Sequence, residues 1–387
     1  MKYRPFGRLG WDVSALGFGC MRLPTTDGNP LSGRIDQKES IRMIRHAIDK
    51  GVNYIDTAYP YHEGRSEVLV GRALKAGYRD KVKVATKSPI WLIKKGKDFD
   101  TYLDQQLERL QMDHVDFYLL HGLCRDRWRD TVLKHGLLKR AEAAVDDGRI
   151  RHLGFSFHDK LDAFKEIADG HDGWDFCQIQ YNYMDIQNQA GTEGLRYAAA
   201  KGLAVIIMEP LLGGRLSDPP ASIRKVVRGG GWKRTPSDLA LQWLWDQPEV
   251  SVVLSGMSTM THVKGNLRSA DRSGVGSMSA KEQRLVAKVR EAYRGRMPIP
   301  CTKCGYCMPC PNGVDIPSNF ELYNDAYAHE DPKGSRASYS RFMGAKERAS
   351  ACVRCRKCEK KCPQGIKVSE RMPKVHRVLG EGKPFDA

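Results

Sequence analysis

Residues 40–58 read SIRMIRHAIDKGVNYIDTA, and they contain a helix pattern, a glycine and a strand pattern in that order. From Ser40 to Ile48, apolar side chains recur at a spacing near 3.6 residues, which is typical of an amphipathic helix. After Gly51, the run Asn53–Ala58 is apolar through its middle, as in a strand that is buried on both faces. This stretch therefore predicts a helix followed by a strand of a parallel sheet.

The same alternation of apolar runs and helix patterns extends to about residue 295. The runs are Ala15–Phe18, Asn53–Ala58, Val82–Lys87, Val115–Leu120, His152–Ser156, Phe176–Tyr181, Leu203–Met208 and Ser251–Leu254. Eight such units predict an α/β fold, a closed (β/α)8 TIM barrel. An open doubly wound sheet is the alternative, but residues 17–21 (GFGCM) lack its G-x-G-x-x-G turn. A further helix pattern covers 130–147.

Two segments mark the ends of the barrel. Tyr3–Phe6 and Trp11–Ser14 flank GRLG, which predicts a hairpin that closes one end. Met297–Pro300 (MPIP) predicts a domain boundary, because the pattern changes there to cysteines, turns and short helices. We therefore expect a barrel over 1–295 and a small, mainly α-helical domain over 296–387.

Composition limits the class of protein. The chain has 387 residues, of which 41% are hydrophobic and 28% charged, and this indicates a globular protein. No run approaches the ~20 apolar residues that span a bilayer, and residues 1–5 lack the apolar core of a secretory signal, so we expect a cytoplasmic protein. The net charge of +17 favours acidic partners such as nucleic acid, phosphorylated small molecules or an acidic redox protein. A basic surface without such a partner is the alternative.

Eight of the 11 cysteines fall in two runs after residue 300. The first run is C-x2-C-x2-C-x2-C-P from Cys301, and the second is C-x2-C-x2-C-x3-C-P from Cys352. The second run is the bacterial ferredoxin pattern, in which the fourth cysteine binds the other cluster. The expected ligands are Cys301, Cys304, Cys307 and Cys362 for the first 4Fe–4S cluster, and Cys352, Cys355, Cys358 and Cys310 for the second. Two zinc sites are the alternative, because they also use C-x2-C pairs.

Three ionisable residues close consecutive predicted strands. Asp56, Lys87 and His121 stand at the carboxyl ends of the second, third and fourth runs, where barrel enzymes place their active sites. Taken singly, the three have structural explanations, namely a helix cap, an ion pair and a core histidine. Taken together, they indicate a catalytic site.

At these residues the sequence resembles the aldo-keto reductase family over about 1–295. The resemblance is carried by Asp56-Thr57-Ala58 with Tyr61 and G-x-S-E at 64–67, by ATK at 85–87, by D-x2-D-x4-H at 113–121, by GFS at 154–156 and by QIQYN at 178–182. The whole chain resembles the subgroup with a C-terminal ferredoxin-type domain. The resemblance implies a tetrad of Asp56, Tyr61, Lys87 and His121, with Tyr61 as the general acid in carbonyl reduction and the base in alcohol oxidation. Lys87 is expected to lower the pKa of the Tyr61 phenol.

The resemblance also implies a nicotinamide cofactor. Its expected contacts are Gly19, Met21, Asp56, Ser156, Gln178, Met208, Leu211, Gly213, Gly256, Ser258, His262 and Asn266. Four positions differ from the family pattern, and one of them is Phe157, which replaces a common Asn. Met208 stands where an aromatic residue usually stacks on the nicotinamide, and Gly256 and His262 stand where NADPH-preferring members carry basic residues. The cofactor is therefore expected to be NADPH or NADH, with NADPH preferred by resemblance.

Coupling between the two domains is the open question, because a hydride carries two electrons and a 4Fe–4S cluster carries one at a time. In the first hypothesis, the barrel reduces a small carbonyl substrate or oxidises an alcohol, and the clusters relay electrons to or from an acidic ferredoxin or flavodoxin, with a flavin not excluded. In the second, the clusters are structural or redox-sensing. A third hypothesis, an iron–sulfur nucleic-acid-binding protein, conflicts with the tetrad and lacks a groove-reading motif.

The loops 89–99 and 122–130 contain Trp91 and Trp128. These side chains either line a substrate pocket or only anchor their loops to the barrel.

Overall fold

The computed structural model describes residues 1–385. Strands β1 and β2 form an antiparallel hairpin, and the other eight form a closed barrel of parallel strands in the order β10-β3-β4-β5-β6-β7-β8-β9. The strands are β1 Tyr3–Pro5, β2 Asp12–Ser14, β3 Leu16–Gly19, β4 Tyr54–Asp56, β5 Lys83–Ser88, β6 Val115–Leu123, β7 Ile150–Phe157, β8 Phe176–Gln180, β9 Ala204–Met208 and β10 Val250–Gly256. The predicted barrel, its eight strands and the hairpin are therefore confirmed.

Helices cover the outside of the barrel and form most of the C-terminal region. They are α1 Gln37–Asp49, α2 Arg65–Ala73, α3 Asp98–Leu110, α4 Arg125–Arg127, α5 Leu137–Asp146, α6 Leu161–Asp169, α7 Gly191–Ala200, α8 Ala221–Gly229, α9 Pro236–Trp245, α10 Met260–Ala270, α11 Ala280–Arg294, α12 Ile316–Ala328, α13 Pro332–Phe342 and α14 Val368–Leu379. Within residues 1–385, no helix combines the length and apolar character that crossing a bilayer requires.

Side chains alternate between the inside and the outside of the barrel along each strand. Tyr54, Ala85 and Phe117 belong to one inner cluster of buried residues, which Phe6 of the hairpin joins. The Phe6 ring lies 4.7 Å from Phe117, so the hairpin fills the end of the barrel where the strands begin. Because side chains two residues apart share a face, Asp56 and Lys87 point inward at the opposite end.

The helix predicted over 130–147 is interrupted, and that prediction was wrong. A π-helical segment covers Trp128–Leu133, and α5 begins only at Leu137. Gly136 between them has a φ of +62°, which is the left-handed region and breaks the helical path. Val132 and Leu137, on the two sides of the break, are both buried, so the apolar spacing in the sequence continues through it.

The chain divides into two compact units. One comprises Met1–Ser217 and Ser237–Lys281, and the other comprises Asp218–Pro236 together with the chain from Glu282 onward. Helices α8 and α11 thus group with the C-terminal unit, where Leu285 packs on Gly230 and the Tyr293 ring lies 4.7 Å from His329. The boundary at residue 295 stays a prediction.

The C-terminal unit has its own apolar core. Its buried members come mostly from α12, α13 and α14, with Phe320, Tyr339 and Met372 among the larger side chains. Six of the eight clustered cysteines pack against this core from partly buried positions: Cys301, Cys307, Cys310, Cys352, Cys358 and Cys362. The two cysteine runs therefore meet on one core, although about 40 residues separate them in the sequence.

Candidate active site and iron–sulfur motifs

Lys87 is the centre of the polar group inside the barrel, and its side chain is only 1% exposed. Its Nζ donates to Asp56 Oδ1 at 2.7 Å, to the Thr57 carbonyl at 2.7 Å and to the Tyr61 hydroxyl at 3.5 Å. The neighbouring strands β4 and β5 align Asp56 with Ala85, and this register brings the two strand ends together. Three of the four tetrad residues therefore form one hydrogen-bonded group.

A strained turn positions Tyr61. His62, Glu63 and Gly64 all have φ between +51° and +82°, a conformation that non-glycine residues rarely adopt. The buried His62 ring fixes this turn, because Nδ1 lies 2.7 Å from the Ser32 carbonyl and Nε2 accepts from the Leu23 N–H at 3.2 Å. No pattern in the sequence singled out His62, which stands directly after Tyr61.

A second buried network supports Lys87 from behind. Glu67 accepts hydrogen bonds from Thr86 Oγ1 at 2.7 Å and from Gln106 Nε2 at 2.6 Å. Gln106 also donates to the Lys87 carbonyl at 3.0 Å and accepts from the Tyr118 hydroxyl at 2.8 Å. The G-x-S-E motif pointed to Glu67, but nothing in the sequence indicated that Gln106 of α3 would reach β5.

Electrostatics keep Lys87 charged and Tyr61 protonated. Burial alone would lower the pKa of Lys87, but Asp56 and then Tyr61 overcome this effect and leave that pKa raised. Burial raises the pKa of Tyr61, and the Lys87 charge offsets only part of that rise. Lys87 lowers the pKa of the Tyr61 phenol, as expected, but the loss of hydration outweighs the nearby cation and the net change in that pKa is upward. Tyr61 is a neutral O–H donor here.

His121, the fourth residue of the expected tetrad, lies at the inner face of β6. Its ring centroid lies 6.2 Å from that of Tyr61 and 5.0 Å from that of Trp91. Burial, followed by the charges of Lys87, His158 and Arg127, holds the pKa of His121 well below its usual value. The ring is therefore neutral at pH 7, and its buried Nδ1 has no hydrogen-bond partner among the residues that the structure describes.

Gln178 has a free acceptor beside the tetrad. Its Nε2 donates to Asp56 Oδ2 at 3.3 Å, while its buried Oε1 has no partner within residues 1–385. Ser156 lies on the neighbouring strand, and its Oγ accepts from the Gly122 N–H at 2.7 Å. An unpaired buried acceptor is costly, so it suits an incoming amide N–H such as that of a nicotinamide.

The other expected cofactor contacts lie at the same end of the barrel, either at the last residues of β3, β9 and β10 or on the segments that follow these strands, α10 included. They are Gly19, Met21, Met208, Leu211, Gly213, Gly256, Ser258, His262 and Asn266. Arg22 lies over two of these glycines, because a Cβ atom would stand 3.5 Å from Arg22 Nη2 at Gly213 and 3.4 Å from Arg22 Cβ at Gly256. The sequence analysis missed Arg22, the cation next to these backbone turns.

The first cysteine run lines a cavity that is partly open to solvent. Its lining includes the four cysteines expected to bind the first cluster: Cys301, Cys304, Cys307 and Cys362. Within residues 1–385, no three His, Cys, Asp or Glu side chains are arranged to hold one metal ion. The four expected cluster ligands thus line one cavity, as a 4Fe–4S cluster requires.

The second run repeats the backbone of the first. Lys303 and Arg354 each stand directly before the second cysteine of their run, and both have φ of +55°. At the next equivalent position, Gly305 has φ of +76° and Arg356 has φ of +59°. Left-handed arginines are uncommon, so the shared conformation indicates that both loops are shaped to surround the same kind of group.

Comparison with known proteins agrees with this geometry. Residues 15–280 match the Aldo/keto reductase family, and residues 300–367 match the 4Fe-4S dicluster domain. The chain is 29% identical to L-galactose dehydrogenase from Arabidopsis thaliana over 289 residues, which cover 69% of this chain and 87% of that protein. It is 30% identical to aldo-keto reductase YhdN from Bacillus subtilis over 232 residues, covering 56% of this chain and 64% of that protein.

Among solved structures, the holo form of aldo-keto reductase AKR11C1 from Bacillus halodurans is similar, with a TM-score of 0.62 and 26% identity. The match covers 75% of this chain and 96% of that one. The barrel, the group around Lys87 and the match over 15–280 lead to one conclusion. The chain belongs to the aldo/keto reductase family of oxidoreductases and carries a 4Fe-4S dicluster domain after its barrel.

Proposed function

We propose that the barrel is an NAD(P)H-dependent carbonyl reductase that also catalyses the reverse alcohol oxidation. The observation that carries this proposal is the buried group of Asp56, Lys87 and Tyr61, with the unpaired Oε1 of Gln178 beside it. The ion pair of Lys87 and Asp56 in contact with a phenol has little purpose in a purely structural core, because removing both charges from water is costly. Lys87 and Tyr61 together are suited to donate a proton to a carbonyl oxygen.

When bound, a nicotinamide cofactor would supply the hydride for the carbonyl carbon. Tyr61 donates its hydroxyl proton to the carbonyl oxygen as negative charge develops there, so the product is an alcohol and Tyr61 becomes a phenolate. Lys87 Nζ, at 3.5 Å, stabilises that phenolate until it takes a proton from water. Neutral His121 donates a hydrogen bond that orients the carbonyl. Asp56 holds Lys87 in place and keeps it protonated.

NADPH and NADH both remain candidates. Ser156 and Gln178 would hold the nicotinamide amide, and the turns at Gly213, Gly256 and Ser258 would face the phosphates. Arg22 lies against two of these turns and provides positive charge for either nucleotide. The resemblance favours NADPH.

We also propose that the chain holds two 4Fe–4S clusters. In each cluster, three ligands come from one cysteine run and the fourth comes from the other run, so that Cys362 joins the first three cysteines of the first run and Cys310 joins those of the second. The cavity lined by Cys362 and the first three cysteines of the other run supports this exchange. The clusters would supply one-electron transfer.

Iron content tests the exchange. The wild type should contain about eight iron atoms per chain, and Cys304→Ala should contain about four. Cys304→Ala/Cys362→Ala should also contain about four, because both cysteines serve one cluster, whereas Cys304→Ala/Cys310→Ala should contain almost none. Cys124→Ala, in the barrel, is the control and should keep the wild-type content. The opposite pattern in the two double variants would refute the exchange.

The surface of the second run favours an acidic electron carrier, such as a ferredoxin or flavodoxin, as a partner. Five basic residues in this run are exposed: Arg354, Arg356, Lys357, Lys360 and Lys361. Val353 is 64% exposed among them, and Cys355 is also exposed. An apolar contact surrounded by positive charge near a cluster suits a short-lived complex with an acidic protein.

Salt dependence tests this docking. We expect reduction of the clusters by a reduced acidic flavodoxin to slow about tenfold or more between 50 and 500 mM salt, because the attraction is screened. Lys357→Glu/Lys360→Glu should slow it at low salt, and the barrel control Lys134→Glu/Lys139→Glu should not. A rate that neither salt nor Lys357→Glu/Lys360→Glu changes would exclude this docking surface.

A further inference from the structure

Arg127 contacts the residue that directly follows His121. It ends the short helix α4, and its Nη1 donates to the carbonyl of Gly122, the residue directly after His121, at 2.7 Å. Gly122 has φ of +63°, and a Cβ atom at this position would stand 3.0 Å from Arg127 Nη1. The guanidinium therefore lies across a glycine that leaves room for it beside the active site.

The charge of Arg127 is not neutralised by an acidic side chain. Its neighbours on the segment are paired, since Arg125 contacts Asp162 and Glu166, and Arg129 contacts Glu166 at 2.7 Å. Arg127 forms no such ion pair with any residue that the structure describes. Its one hydrogen bond to a main-chain oxygen leaves donors of the planar guanidinium free.

Trp91 connects this charge to His121. The Arg127 guanidinium carbon lies 5.7 Å from the centre of the Trp91 ring, and that ring lies 5.0 Å from the His121 ring. Trp91 is 42% exposed, so one side of the ring faces solvent. Four side chains therefore follow one another: the Tyr61 hydroxyl, the neutral His121 imidazole, the apolar Trp91 ring and the Arg127 guanidinium, which has no carboxylate partner among the described residues.

We propose that Arg127 binds an anionic group of the substrate, so that the enzyme acts on small aldehydes or ketones that carry a carboxylate or a phosphate. The carbonyl lies at Tyr61 and His121, the carbon chain passes along Trp91, and the anion pairs with Arg127. A guanidinium fits either anion with two parallel hydrogen bonds. The positive charge of Arg127 is one of the causes that lower the pKa of His121, so its electrostatic effect reaches the proposed active site. This inference rests on the proposed carbonyl reduction.

Matched substrate pairs test the inference on the anaerobic holoprotein with NADPH. The carboxylate pair is 4-carboxybenzaldehyde and methyl 4-formylbenzoate, and the phosphate pair is glyceraldehyde 3-phosphate and glyceraldehyde. We expect the wild type to have the higher kcat/KM for the charged member of at least one pair, and the pair that shows this identifies the anion. Arg127→Met should lower kcat/KM for that member about 10- to 100-fold, mainly through KM, because a hydrogen-bonded charge pair is lost.

The neutral members provide the internal control. Arg127→Met should change their kcat/KM less than threefold, Arg127→Lys should recover part of the loss, and Arg129→Met should behave as the wild type. A second measurement needs no variant: benzoate, which has no reducible carbonyl, should compete with methyl 4-formylbenzoate more strongly than benzamide does.

Three results would overturn the inference: equal losses on both members of a pair, no wild-type preference for either anion, or equal inhibition by benzoate and benzamide. If the wild type reduces the neutral aldehydes in a reaction that requires Tyr61 but shows one of these results, only the anion site fails. If no aldehyde is reduced, the proposed function fails and this inference with it.

Discussion

Replacing Tyr61 by Phe is expected to lower kcat for aldehyde reduction by about 10²- to 10⁴-fold, which is the range for losing a general acid. The ring would keep its place beside Lys87 and His121, so only the O–H that donates the proton is removed. The affinity for the nucleotide should change little. Steady-state kinetics with a neutral aldehyde and a nucleotide-binding titration measure the two effects.

Tyr59→Phe is the matched control, because Tyr59 lies two residues earlier and its hydroxyl donates to Gln105 rather than into the tetrad. This variant should keep at least half of the wild-type kcat. The role of Tyr61 would be refuted if Tyr61→Phe kept a kcat within threefold of the wild type.

Lys87→Met is expected to destabilise the protein by about 3–5 kcal/mol as well as abolish activity, because it leaves the Asp56 carboxylate buried without its cation. Asp56→Asn/Lys87→Met should regain most of that stability, since neither buried charge remains. The double variant should stay inactive, because no ammonium is left to stabilise the Tyr61 phenolate. Urea unfolding and aldehyde reduction separate the two effects.

Lys83→Met is the control on the same strand. Lys83 also pairs with an aspartate, at 3.1 Å from Asp116, but its side chain is 47% exposed. Its removal should cost less than about 1 kcal/mol, because Lys83 is half exposed and the buried Asp116 keeps its ion pair with Arg79 at 2.8 Å. A double variant no more stable than Lys87→Met would contradict the electrostatic explanation and indicate a packing defect instead.

The barrel was predictable because each strand carries its own signal. The apolar runs end in Asp56, Lys87 and His121, and the alternation of a strand places these residues on the same inner face as Tyr54, Ala85 and Leu119. The structure brings them together, and it also gathers the expected cofactor residues at one end of the barrel. The function of the two cysteine runs was predictable for a similar local reason, because the spacing of cluster ligands can be read directly from the sequence.

Other features depend on contacts between distant elements and left no local signal. Gln106 reaches the Lys87 carbonyl only because α3 packs beside β5. Arg127 has no carboxylate partner within residues 1–385, because Arg125 and Arg129 take the nearby carboxylates. The rise in the pKa of Tyr61 depends on how completely the barrel excludes water, which no single residue reports. The break at Gly136 was hidden because the apolar spacing continued through it.

One anaerobic measurement tests most directly the claim that the barrel is a carbonyl reductase. The purified holoprotein is mixed with NADPH or NADH, with and without an aldehyde, while the nicotinamide and cluster absorbances are followed together. We predict that nucleotide is consumed only when aldehyde is present, one molecule for each alcohol formed, and that Tyr61→Phe stops the reaction without changing the clusters. Nucleotide oxidation that bleaches the clusters without aldehyde, or proceeds equally in Tyr61→Phe, would contradict the account.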